Sequence, residues 1–156
     1  MTSQTLSRFN IRVYVLILED NCVLVTDEFQ MDMKMTKFPG GGLHFGEGTI
    51  DCIKREMMEE CRQAINHIEH FYTTDFYQKA LFFENQQLIS IYYSARIQGE
   101  NNIPISQKAF DFEKMENGQQ SFRWIPTDEI NPEEFTFPID KHVATLLKQT
   151  KNTYRI

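Results

Sequence analysis

A glycine-rich stretch that leads into an amphipathic helix, between residues 41 and 63, is the feature that most constrains the fold. Three consecutive glycines, Gly40–Gly42, favour neither a helix nor a stable strand. They predict a tight loop whose backbone adopts unusual angles or approaches a ligand closely. The helix that follows is predicted to begin near Thr49 and to end near Cys61. Because residues three and four positions apart share a helix face, its buried apolar stripe is expected to contain Ile53, Met57 and Cys61.

Three carboxylates crowd the neighbouring face of the same helix. Glu56, Glu59 and Glu60 lie within one turn, and like charges at these spacings destabilise a helix by roughly 0.2–0.5 kcal/mol per pair. A divalent cation would offset this repulsion, because hard cations such as Mg²⁺ prefer oxygen ligands, commonly carboxylates together with substrate phosphates. The pattern therefore predicts a metal site on this face.

Composition and charge narrow the class of protein. With 156 residues, of which 41% are hydrophobic and 24% charged, the chain is predicted to form a single globular domain over residues 1–156. The net charge of −6 argues against long-range attraction to a nucleic-acid backbone or an anionic membrane. We therefore expect neither as a partner, and a phosphate-bearing substrate would need metal ions or a local cluster of positive charge.

The cysteines and the N-terminal sequence indicate the cellular compartment. Cys22, Cys52 and Cys61 are odd in number and lack the spacing of a metal finger, so reduced thiols are expected. The chain has no apolar run of 18 residues, and its first ten residues lack the basic start and apolar stretch of a signal peptide. These features predict a cytoplasmic protein.

Strand patterns on both sides of the helix predict a sheet. Residues 9–18 are apolar and β-branched, and residues 22–26 are their expected antiparallel partner. The methionine-rich stretch 29–37 is interpreted as a short edge strand or a flexible loop rather than as a methionine-lined binding surface. The remaining predicted elements are strands at 71–77, 79–84, 87–97 and 121–126, a polar active-site loop at 101–119 and an amphipathic helix at 139–148.

The glycine stretch and its helix together resemble the Nudix box. That pattern is Gly, five residues, Glu, seven residues, and then Arg-Glu, an apolar residue, any residue and Glu-Glu. Six fixed positions of the pattern are occupied in register, by Gly41, Glu47, Arg55, Glu56, Glu59 and Glu60. The order of the predicted flanking elements is also similar to this family. The resemblance implies an α/β (α+β) fold, a Nudix-like α/β/α sandwich with a mixed β-sheet between helices.

The resemblance also implies roles for these residues. The three adjacent glutamates, together with the carbonyl of Gly40, are expected to bind Mg²⁺ or Mn²⁺. Arg55 and Glu47 are expected to form an ion pair that holds the loop against the helix. The implied reaction is attack of water on phosphorus, which cleaves the pyrophosphate of a nucleoside diphosphate linked to another moiety. The substrate is thus a small, nucleotide-like molecule, and a homodimer is common in the family.

A further carboxylate, acting as a base or a metal ligand, is implied in the loop before the strand that carries Trp124. Glu116 is the preferred candidate because it lies nearest to Trp124, and Glu113 and Asp111 are alternatives. Further candidate phosphate-binding residues are Arg62, Arg96 and Arg123, of which only the last two lie on predicted strands.

Two positions depart from the family pattern. Arg62 stands where a glycine normally ends the box helix in a left-handed conformation, in which a Cβ costs on the order of 1 kcal/mol. Gln63 replaces a residue that is usually apolar. In one interpretation Arg62 extends the helix, and Ala64 or Ile65 supplies the apolar anchor. The departures also suggest an alternative function, a catalytically weak or inactive Nudix-type module that binds or senses a nucleotide or nucleotide sugar.

Overall fold

The structure is a computed structural model that describes residues 5–153, with side chains described for residues 5–150. Within this range the chain forms two α-helices and a mixed sheet of seven strands. The strands are β1 (Arg8–Glu19), β2 (Cys22–Gln30), β3 (Met33–Lys37), β4 (Gly40–Gly42), β5 (Ile65–Thr73), β6 (Gln86–Ile97) and β7 (Gln119–Pro126). The helices are α1 (Thr49–Cys61) and α2 (Pro138–Thr153), and a 3₁₀ turn spans Pro132–Glu134.

The sheet is organised around β1. The strand order is β3-β2-β1-β6-β5, with β4 also paired to β1 and β7 also paired to β2. β1 runs parallel to β6 and antiparallel to β2 and β4, which makes the sheet mixed as predicted. The pairing of β4 with β1 brings the glycine stretch alongside Arg12, Val13 and Tyr14.

Alternate residues of β1 enter two separate apolar cores. Val13, Val15 and Ile17 pack on the side of α1, whereas Tyr14 and Leu16 pack on the side of α2. The helices contribute Cys52, Ile53 and Met57 from α1, and Ile139, Val143 and Leu147 from α2. Side chains of a strand alternate between the two faces of a sheet, so this sheet is covered by one helix on each side. The predicted α/β/α sandwich is confirmed.

Three local expectations need correction. Residues 79–84 are not a strand, since their ladder contact is the isolated bridge between Lys79 and Gln87. The strand predicted at 71–77 instead spans Ile65–Thr73, and it includes a polar, irregular part with His67 at a φ of 51°. The glycine stretch is the short strand β4 rather than a loop. The methionine-rich stretch does contain the edge strand β3, as predicted.

No helix within residues 5–153 has the combined length and apolar character needed to cross a membrane.

Candidate active site

The end of α1 keeps the geometry of a left-handed cap although a glycine is missing there. Arg62 has a φ of 54° and a ψ of 35°, and its N–H points to the carbonyls of Met57 and Met58. The interpretation that Arg62 extends the helix is therefore wrong, because the helix ends at Cys61. Of the two proposed apolar anchors, Ile65 is buried in the same core as α1.

Gln63 explains how the chain continues beyond this cap. Its side chain is buried, and its Nε2 donates to the carbonyls of Ala64 at 3.0 Å and Gln98 at 3.2 Å. Its Oε1 accepts a hydrogen bond from the backbone N–H of Asn102 at 3.4 Å. A polar residue is tolerated at this buried position because both ends of its amide are satisfied. It ties the end of α1 to the segment that follows β6.

Arg55 joins the loop to the helix. Its Nε donates to Glu47 Oε2 at 3.0 Å, and its Nη2 donates to Glu47 Oε1 at 2.7 Å and to the carbonyl of Gly42 at 3.1 Å. Glu47 also accepts the backbone N–H of His44 at 2.8 Å. Hydrogen bonding from the Arg55 guanidinium lowers the pKa of Glu47 to about 2. A bidentate pair of this kind has a fixed orientation, so it holds residues 42–47 against α1.

Arg55 also orients two of the three adjacent glutamates. Its Nη1 donates to Glu56 Oε1 at 2.9 Å and to Glu59 Oε2 at 3.1 Å. The Glu56 carboxylate lies against Gly41, where an added Cβ would overlap all three of its terminal atoms. Gly41 is thus required for this position of Glu56 by steric exclusion.

Glu60, the third glutamate, has a different environment. Burial, together with the charges of Glu28 and Glu56, raises its pKa to about 8 against the opposing effects of Lys37 and the backbone of Gly40. Its Oε2 is buried and has no hydrogen-bond partner among the described residues. A buried carboxylate oxygen without a partner costs free energy unless a ligand satisfies it.

The donors around this helix suit a hard divalent cation. They are carboxylate oxygens, and one of them is buried and unpaired. Gly40 lies beside Glu60, which places the backbone of β4 next to the same carboxylate. Across the described part of the chain, no three His, Cys, Asp or Glu side chains are grouped closely enough to hold a metal ion. Glu56 and Glu59 instead contact Arg55, so an ion would have to compete with that guanidinium for their oxygens.

A cavity of about 250 Å³ has two lining residues, Lys37 and Arg12, that interact electrostatically with Glu60 and Glu56 of α1. Its walls come from β1, β2, β3, β6, the 80–83 segment and the start of α2. The apolar lining includes Met31, Met35, Leu88, Phe82 and Phe137, and the polar lining includes Arg12, Glu28, Lys37, Tyr92 and Asp140. Residues 80–83, predicted as part of a strand, form one wall. Met31 and Met35 also line the cavity, so the methionine-rich stretch contributes to the cavity wall as well as to the edge strand.

The charged residues Lys37 and Arg12 were not predicted from the sequence as part of a site. Lys37 Nζ lies 3.4 Å from Glu28 Oε1, and Arg12 Nε donates to Tyr14 Oη at 2.7 Å. A signal for Lys37 was present, because alternation along β3 places Lys37 on the same face as Met35. For Arg12 the signal was a cation within an otherwise apolar strand.

Asp140 forms the buried floor of the cavity. The residue is 2% exposed, and its carboxyl accepts a hydrogen bond from Tyr92 Oη at 2.6 Å. Burial raises the pKa of Asp140 to about 7, against the opposing effects of the Tyr92 hydrogen bond and the charges of Lys37 and Arg12.

The carboxylates predicted in the loop before Trp124 do not line the cavity. Glu116 is exposed and lies 3.9 Å from Lys114 Nζ, and Asp111 and Glu113 are also exposed. A catalytic role for Glu116 stays a prediction. The candidate phosphate-binding arginines do not line the cavity either: Arg62 is exposed, Arg96 pairs with Glu19 at 3.7 Å, and Arg123 pairs with buried Asp27 at 2.7 Å.

Comparison with known proteins identifies the class. The family model of the NUDIX domain matches residues 8–146, so the chain belongs to this family. Solved structures agree in fold. A NUDIX hydrolase from Nitrosomonas europaea superposes with a TM-score of 0.67 at 15% identity, covering 92% of this chain and 90% of that one.

Two further structures have the same fold. The MutT NUDIX hydrolase from Burkholderia pseudomallei has a TM-score of 0.68 at 13% identity, covering 89% of this chain and 98% of that one. The MutT protein from Bacillus halodurans has a TM-score of 0.62 at 17% identity, covering 88% and 82%. A sequence comparison with curated proteins found no match.

Proposed function

We propose that this chain is a divalent-cation-dependent hydrolase, which cleaves the pyrophosphate linkage of a nucleoside diphosphate joined to another moiety. The observation that carries the proposal is the unpaired, buried carboxylate oxygen of Glu60, within a helix whose other two glutamates are oriented by Arg55. Membership of the NUDIX domain family supports hydrolysis as the reaction class. It also supports dependence on a divalent ion, since hydrolases of this family generally use one.

The proposed reaction assigns a separate role to each group of residues. Glu56, Glu59 and Glu60, with the carbonyl of Gly40, are the proposed ligands of Mg²⁺ or Mn²⁺. The ion, when bound, would neutralise phosphate oxygens and lower the pKa of an attacking water. Arg55 and Glu47 hold the end of β4 against the helix, and the cavity lined by Arg12 and Lys37 receives the nucleoside end of the substrate.

The first test is product release from a panel of nucleoside diphosphate compounds, with Mg²⁺, with Mn²⁺ and with EDTA. We expect at least one compound to be hydrolysed only when a divalent ion is present. In the alternative function, a module that binds or senses nucleotides, some compound binds tightly but none is hydrolysed. The left-handed cap at Arg62 favours the hydrolase, because it keeps the box helix at its usual length.

Two further proposals concern the state of the protein. We propose a homodimer in the cytoplasm, in which the three free thiols stay reduced. Gel filtration with light scattering tests the dimer: a mass near 37 kDa, twice the chain mass of 18.5 kDa, is expected, and a mass near that of one chain would contradict it. Fractionation of cells tests the location.

A further inference from the structure

The cavity beside α1 is lined by two cations although the chain as a whole is acidic, with a net charge of −6. Arg12 is on β1 and Lys37 is the last residue of β3. The Lys37 side chain is only 10% exposed. Burying a charged side chain is costly unless it is paired, so Lys37 needs an explanation, and Arg12 is half-buried beside it in the same lining.

The acids that line the cavity, Glu28 and Asp140, only partly balance these cations. Glu28 is the carboxylate within ion-pair distance of Lys37, at 3.4 Å, and no ion pair of Arg12 is found among the described residues. Arg12 instead donates to the phenol of Tyr14. The other acid of the cavity, Asp140, has a pKa raised to about 7 by burial and so carries only a partial charge at neutral pH. The cavity therefore holds more positive than negative charge.

Both cations lie close enough to α1 to interact electrostatically with its carboxylates. Lys37 acts electrostatically on Glu60, and Glu56 acts on Arg12. Arg12 also lies beside β4, since its Nη1 would be 3.8 Å from a Cβ at Gly42. The two cations therefore line the cavity and also interact with the proposed metal-binding helix, so an anionic group of a ligand bound in the cavity would balance them.

We propose that Arg12 and Lys37 form a phosphate-binding pair that holds the phosphate next to the nucleoside. This inference rests on the proposed function for its choice of a nucleotide as the ligand. The apolar wall, with Leu88, Phe82 and Phe137, receives the nucleoside, and the following phosphate linkage faces α1. A volume of about 250 Å³ is near the lower end of the range for ligand pockets, so the cavity suits a small ligand such as one nucleoside. Lys37 and Arg12 are therefore specificity-determining residues for a phosphorylated ligand.

Binding without catalysis tests the pair. Calorimetry in EDTA compares adenosine, guanosine, cytidine and uridine with their 5′-monophosphates. In the wild-type protein at least one monophosphate should bind more tightly than its nucleoside, by roughly 10- to 100-fold, as expected for hydrogen bonds to charged groups. Lys37→Met and Arg12→Met should each lose most of that ratio while affinity for the nucleoside stays the same.

Matched variants separate this effect from charge loss and from misfolding. Lys34→Met removes the same charge from an exposed position of β3 and should keep the ratio. Because Lys37→Met leaves Glu28 buried without its partner, the pair Glu28→Gln with Lys37→Met removes both charges. Thermal unfolding identifies variants that are folded.

Two results would overturn the inference. One is a wild-type protein that binds no monophosphate more tightly than its nucleoside. The other is an unchanged ratio in folded Arg12→Met and in the Glu28→Gln, Lys37→Met pair. Since no divalent ion is present, the outcome does not depend on turnover. If the ratio of monophosphate affinity to nucleoside affinity depends on Lys37 but no compound is hydrolysed, the proposed function alone is refuted. If a compound is hydrolysed but the substitutions leave this ratio unchanged, the phosphate-binding pair alone is refuted.

Discussion

Replacing Asp140 with asparagine should flatten the pH dependence of the free energy of unfolding between about pH 4 and pH 7. The carboxyl of Asp140 is buried and accepts a hydrogen bond from Tyr92. Burial raises its pKa from 3.8 to about 7. A group whose pKa is higher in the folded state contributes stability below its unfolded pKa, and this stability is lost as pH rises through the folded pKa. The wild-type protein should therefore become less stable as Asp140 ionises.

The size of the effect follows from the pKa shift. A change of roughly three pH units corresponds to about 4 kcal/mol between the protonated and ionised extremes. Asparagine keeps an oxygen that accepts from Tyr92 but does not titrate. The difference in stability between Asp140→Asn and wild type should thus move by up to about 4 kcal/mol in favour of the variant between pH 4 and pH 8.

Urea unfolding followed by circular dichroism, at intervals from pH 4 to pH 8, measures this difference. Asp20→Asn is the matched control, because Asp20 is an exposed turn residue between β1 and β2, and it should leave the wild-type pH profile unchanged. The reasoning is refuted if the Asp140→Asn profile runs parallel to that of the wild type over the whole range.

Three further substitutions test individual contacts. Gly41→Ala should displace the Glu56 carboxylate, because the new Cβ overlaps it. The rate of hydrolysis in a steady-state assay should therefore fall by about tenfold or more while the protein stays folded. Unchanged turnover would contradict this. Arg62→Gly should stabilise the protein by about 1 kcal/mol in urea unfolding, since glycine has no Cβ to strain at a φ of 54°; a loss of stability would argue against strain there. Gln63→Leu should destabilise it by about 1–3 kcal/mol, because the backbone groups of Gln98 and Asn102 lose their partner; an equally stable variant would show that water replaces the amide.

Local patterns predicted the elements around the box well. The spacing of apolar residues located α1 within its observed limits, and the bulky, β-branched run located β1. These features depend on periodicity within a short window, which one sequence contains. The resemblance to the Nudix box, rather than any local periodicity, implied the contact of Arg55 with Glu47 that the structure shows.

The cavity could not be predicted from local sequence patterns, because residues far apart in the chain line it. Arg12, Lys37 and Asp140 come from β1, β3 and α2, and they meet only because β1 pairs with distant segments of the chain. Residues 79–84 were wrongly predicted as a strand, because an apolar run of this length can line a cavity wall, as residues 80–83 do, as well as form a strand. The conformation of Arg62 was also mispredicted, since its local strain is outweighed by contacts that follow it, notably those of Gln63.

The most direct test of the central claim is turnover by Glu60→Gln on the compound that the wild-type protein hydrolyses fastest with Mg²⁺. Glutamine is nearly isosteric and neutral, so the fold should be retained in thermal unfolding. Loss of one metal ligand should remove several kcal/mol of transition-state stabilisation, which lowers turnover by roughly 100-fold or more. The control Glu69→Gln, at an exposed position of β5, should match the wild type. Turnover by Glu60→Gln equal to that of the wild type, or no hydrolysis of any compound by the wild type, would contradict the account.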